Sequence, residues 1–114
     1  MELKIIFVSV KNELTDDVLK AARDAGATGA TIIPARGSGI HEVKSFLGVT
    51  LENQTDLLVF LVETHAVEEI LKAVSDAGCF EESGNGIGFV MPVEKAVGLD
   101  SQMKAFKKQA GELD

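Results

Sequence analysis

The chain predicts an α+β sandwich, a four-stranded antiparallel sheet with two helices on one face, and three observations carry that prediction. The segment VLKAARDAG (Val18 to Gly26) returns 52 positions later as ILKAVSDAG (Ile70 to Gly78). Each copy follows an apolar run of strand character, IIFVSV (Ile5 to Val10) and LLVFLV (Leu57 to Val62). Each is followed within a few residues by a second such run, ATIIP (Ala30 to Pro34) and GFVMPV (Gly88 to Val93). Strand-helix-strand is thus written twice. In 114 residues, that pattern is a split βαβ, ferredoxin-like βαββαβ unit.

The first and third strands are apolar almost throughout, as expected of central strands buried on both faces. A single sandwich leaves one sheet face to water. Ile5, Phe7, Leu58 and Phe60 are too apolar to form such a face, so an oligomer assembled through the sheet is expected. In the first helix Thr15 is placed to cap, Asp16 and Asp17 lie in the first turn where the helix dipole favours negative charge, and Gly26 suits a left-handed stop. Val18, Ala21, Ala22 and Ala25 form its apolar stripe. The second helix follows the same plan. Thr64 would cap it, Glu68 and Glu69 would occupy its first turn, and Gly78 would end it. Its stripe is Val67, Ile70, Leu71, Val74 and Ala77.

Two connections stand out. About twenty residues, Arg36 to Asp56, join the two halves, a length usually reserved for function. The second connection, ESGNGIG (Glu82 to Gly88), has three glycines in five residues, able to take positive φ and to present successive amides to an anion. Residues 1–100 read as one domain, and residues 101–114 as a C-terminal tail that can start a short helix.

Composition excludes several classes of function. Net charge is −7, with no basic cluster beyond Lys104, Lys107 and Lys108, so nucleic acid is not an expected partner. Six Phe with no Trp or Tyr provide no stacking platform for single strands. The lone Cys79 excludes an internal disulfide and a cysteine-based zinc site, and reads as a small buried apolar group. No run approaches the ~20 apolar residues of a membrane span, and no signal pattern opens the chain, so a cytoplasmic protein is expected.

Catalytic chemistry finds little support. Ser38, His41 and Glu42 lie close in sequence, but no strand-to-helix nucleophile turn surrounds them. His41, with Glu42 or His65, is a candidate metal ligand without a ligand-spacing motif. The glycine segments RGSG and SGNGIG can be read as tight turns, or together as a cleft where backbone amides meet a phosphate or carboxylate.

Two longer stretches resemble the PII family of nitrogen-regulatory signal proteins. DAGATGATIIPARGSG (Asp24 to Gly39) is similar to the family's lead into its long T-loop, here about residues 37–56. GNGIGFVMPVEKAV (Gly84 to Val97) is similar to its B-loop and following strand; here the B-loop is residues 82–88. The resemblance spans roughly residues 4–101 and is to a divergent, PII-like member. It implies a homotrimer with the sheets inward, binding an adenine nucleotide (AMP, ADP or ATP, with or without magnesium) in clefts between subunits. By the same match Thr31 would contact the adenine. Arg36, Gly37, Ser38, Gly39, Val62, Gly84, Asn85, Gly86 and Ile87 would complete the nucleotide site, with Gly86 admitting close backbone approach. The T-loop would dock on a target such as a membrane transporter or a metabolic enzyme. Regulation by binding, not turnover, is implied.

The departures fall on the phosphate end. Asn85 and Ile87 stand where the family has Asp and Lys, Gly98 and Asp100 where it has two arginines, and Ile40-His41 where it has Arg-Gln. Losing those cations points to a less charged ligand than ATP with 2-oxoglutarate. Without tyrosine, the usual uridylylation is excluded. A metal-sensing or metal-tolerance trimer of related fold, using His41 and acidic loop residues, is the alternative reading.

Overall fold

The computed structural model describes residues 2–37, 44–46, 49–51, 53–82 and 84–98. Ser38, Gly39, His41, Asp100 and the 101–114 tail lie outside the described residues. Strands are β1 (Leu3–Lys11), β2 (Thr31–Gly37), β3 (Lys44–Phe46), β4 (Val49–Leu51), β5 (Asn53–Glu63) and β6 (Gly86–Pro92); helices are α1 (Thr15–Asp24) and α2 (Val67–Gly78). The main sheet has the order β2-β5-β1-β6, with every neighbouring pair antiparallel. This is the expected βαββαβ sandwich.

Alternation along the central strands decides which side meets the helices. Ile6, Val8 and Val10 of β1 and Leu58, Phe60 and Val62 of β5 are buried, together with Val18 and Ala22 of α1 and Val67, Ile70 and Val74 of α2. Burying each Val, Leu, Ile or Phe among them contributes about 1.5–3 kcal/mol. Leu58 and Phe60 therefore lie beneath the helices, not on the open face. The open face carries their odd-numbered neighbours Leu57, Val59 and Leu61, beside Ile5 and Phe7, in register with Ile33 on one side and Phe89 and Met91 on the other. Ile33, Ile87, Phe89 and Met91 are 44%, 62%, 47% and 48% exposed. Phe7 and Phe89 stack there, ring centroids 5.4 Å apart.

The long connection is shorter than the sequence indicates. The β2–β5 ladder runs from Thr31↔Val59 to Gly37↔Asn53, so most of the residues flanking it pair as strand, and β3 and β4 form a hairpin of their own within it. The glycine segment is also part strand, since Gly86 to Gly88 open β6.

Neither threonine caps its helix. Each helix is preceded by a 3₁₀ turn, Asn12–Leu14 and Thr64–Ala66, and each hydroxyl donates elsewhere. Thr15 Oγ1 donates to Asp56 Oδ2 at 2.6 Å, and Thr64 Oγ1 to the Glu2 carbonyl at 3.1 Å. At the other ends, α1 stops as predicted. Gly26 has φ +119°, and the Ala27 amide donates back to Ala22 O at 2.9 Å. In α2 the equivalent bond runs from the Phe80 amide to Ser75 O at 3.1 Å, and the left-handed residue is Cys79 (φ +50°), not Gly78. The second helix continues one residue further than the repeat implies. Cys79 is exposed, not buried, because it occupies that turn.

Candidate functional site

Strand register brings Arg36 and Gly37 of the first glycine segment and Gly86 of the second to one end of the sheet. Lys11, at the end of β1, pairs with Thr55, which pairs with Ala35 on β2; Val10 pairs with Gly86 on β6. The Lys11 amide donates to Asn85 O at 2.9 Å, tying the loop before β6 to this end. The sheet order nevertheless puts β2 and β6 on opposite edges. Three strand spacings, about 14 Å, separate them within one chain.

On the β2 edge, Thr31 opens the strand and Gly37 closes it, paired with Asn53. Six residue steps of about 3.3 Å put them roughly 20 Å apart. Thr31 shares the open face with Val59, whereas Arg36, five residues on, falls on the helix side with Gln54. There Asn12, Pro34, Ala35, Arg36, Gln54, Thr55 and Asp56 line a depression of about 410 Å³. Asn12 Nδ2 donates to Gln54 Oε1 at 3.3 Å, and the Thr15 hydroxyl holds Asp56. Asn12, Gln54 and Asp56 were not singled out from sequence as site residues; the signal was Asp56, a lone acid at the head of the apolar run that becomes β5.

On the β6 edge, Gly84 has φ +88°, a conformation that favours glycine. Asn85 is buried, and its Nδ2 donates to the carbonyls of Gly78 and Cys79, each at 3.1 Å. That amide closes the C-terminal turn of α2. Gly86 is packed against the Phe80 ring and the Ser9 carbonyl. Ile87 is exposed on the open face, in register with Ser9.

Val62 lies elsewhere. It is buried beneath the helices and pairs with Lys4 at the far end of the sheet, so its side chain belongs to the core. His65 is also at the far end, its Nδ1 3.1 Å from Glu63 Oε2. Among the described residues, no group of three or more His, Cys, Asp or Glu could hold a metal ion.

A family model described as nitrogen regulatory protein P-II matches residues 3–102 of the chain. The chain belongs to the PII family. It is similar to nitrogen regulatory protein GlnK2 of Haloferax mediterranei, 26% identical over 101 residues that cover 83% of this chain and 81% of the relative. PII proteins are regulatory and interact with partner proteins. Among the described residues, no helix is long and apolar enough to cross a membrane.

The fold also gives physical roles to two of this PII protein's departures. Asn85 serves the α2 terminus through a donor amide that an aspartate lacks. Ile87 puts an apolar side chain on the open face where a lysine would carry charge.

Proposed function

We propose that this PII protein is a homotrimeric signal protein that binds an adenine nucleotide between subunits and regulates a partner through the segment between β2 and β5. The observation that carries the reading is the separation of its site residues. Arg36 and Gly37 close one edge of the sheet, with Thr31 roughly 20 Å away at the start of the same strand, and Gly84, Gly86 and Ile87 belong to the other edge. A ligand touching both sets at close range requires the β2 edge of one copy beside the β6 edge of the next. The apolar open face provides the contact that holds copies together, since a patch of that kind is costly in water.

A cleft built in this way couples ligand to partner. Gly37 ends β2 where the connecting segment leaves the sheet, so a ligand held there favours some arrangements of that segment over others. The resulting shift is limited to the ligand's differential affinity for those arrangements. A transporter or a metabolic enzyme that reads the segment would then respond to nucleotide level. The chemistry is binding, without turnover.

Calorimetric titration of AMP, ADP and ATP into the purified protein, with and without magnesium, tests the reading. One nucleotide per subunit in a particle three times the 12.1 kDa chain mass is the expected result. A monomer, or a trimer that binds none of the three, would overturn it.

A further inference from the structure

We propose that Lys11 is the cation of this cleft on the β6 side, contacting the phosphates of the bound nucleotide; the inference rests on the intersubunit site proposed above. Residues 84–88 include no basic side chain, so the glycine-bearing edge itself provides no charge for an anion. Lys11 stands one strand inward at the same end. Its amide is bonded to Asn85 O, fixing its backbone against the loop that ends at Gly86.

Register defines the direction of its side chain. Ile5, Phe7, Ser9 and Lys11 alternate with the buried Ile6, Val8 and Val10, so Lys11 shares the open face. Ser9 pairs with Ile87, which makes Lys11 and Ile87 diagonal neighbours. Diagonal positions are about 7–8 Å apart, and the flexible four-carbon stem of a lysine covers that distance. Lys11 can therefore bring an ammonium group to the place where a basic residue at position 87 would hold one.

The charge is also available. Lys20 and Lys72 pair with Asp24 and Asp76 along their helices, whereas Lys11 forms no ion pair among the described residues. It is half-buried, at the end of a strand whose open face also carries the apolar Ile5 and Phe7. Charge from Lys11 and backbone freedom at Gly84 thus meet on one edge.

The test is titration of AMP, ADP and ATP into wild type, Lys11→Met, Lys11→Arg and Lys4→Met, with the particle mass read for each. Lys11→Met should weaken ATP about tenfold and AMP by less, because the lost contact is to phosphate. Lys11→Arg should retain binding. Lys4→Met, at the far end of β1, should change nothing. Adding Ile87→Lys to Lys11→Met should restore ATP affinity. If Lys11→Met dissociates the particle, Lys11→Gln replaces it. Wild-type affinities in an intact Lys11→Met trimer would overturn the role of Lys11 and leave the cleft standing. Failure of wild type to bind any of the three would remove the cleft, and this inference with it.

Discussion

Replacing Gly86 with alanine tests whether the glycine serves packing as well as ligand approach. A Cβ there would lie 2.5 and 2.7 Å from Cε1 and Cζ of Phe80 and 2.9 Å from the Ser9 carbonyl oxygen. Carbon atoms pack comfortably at about 3.5 Å or more, so the ring would have to retreat by about 1 Å. Gly78 blocks one retreat, since a Cβ at that position would be 2.3 Å from the same ring. The Ser9 oxygen belongs to β1 inside the sheet and moves only with it. Overpacking of this kind costs about 1–3 kcal/mol, and we expect about 2 kcal/mol for Gly86→Ala. In a Phe80→Ala background the ring is gone and only the Ser9 contact remains, so the cost should fall to about 1 kcal/mol, a coupling of similar size. Urea unfolding of the four proteins at one protein concentration measures both quantities. An equal cost in the two backgrounds, or a cost below about 0.5 kcal/mol in wild type, would refute the packing argument.

Asn85→Ala should cost about 2–3 kcal/mol, because it removes two donors from the Gly78 and Cys79 carbonyls at a buried site; urea unfolding again measures it. Cys79→Gly should stabilise by about 0.5–1 kcal/mol by relieving the left-handed backbone of a non-glycine residue, seen as a higher unfolding midpoint. Phe89→Glu should dissociate the oligomer while leaving far-UV circular dichroism unchanged, since the ring stacks on Phe7 on the open face. A particle of unaltered mass would place the subunit contact elsewhere.

The repeat made the order of elements legible, because amphipathic helices and apolar strands are local patterns. What the sequence concealed depends on distant partners. Thr15 and Thr64 look like caps until Asp56 and the Glu2 carbonyl take their hydroxyls. β1 and β5 are apolar on both sides, so no period of two showed that Leu58 and Phe60 lie inside and Leu57 and Val59 outside. Gly86 reads as a residue for ligand approach, while the ring and carbonyl that also require it are known only from packing. Asn85 reads as part of a glycine loop facing a ligand, and its amide turns instead to the end of α2. The site was legible as two segments. That they occupy opposite edges follows from strand order, which sequence spacing alone does not determine.

Mixed oligomers test most directly whether the site is completed between copies. Arg36→Glu reverses the charge on the β2 edge, and Ile87→Glu places an acid on the β6 edge. Each variant alone should bind nucleotide poorly. Unfolded together and refolded as mixed trimers, they should regain wild-type affinity in a fraction of clefts, those pairing the intact β2 edge of one chain with the intact β6 edge of the other. Mixed trimers that form and regain no binding would contradict the account, because each chain would then hold its own site.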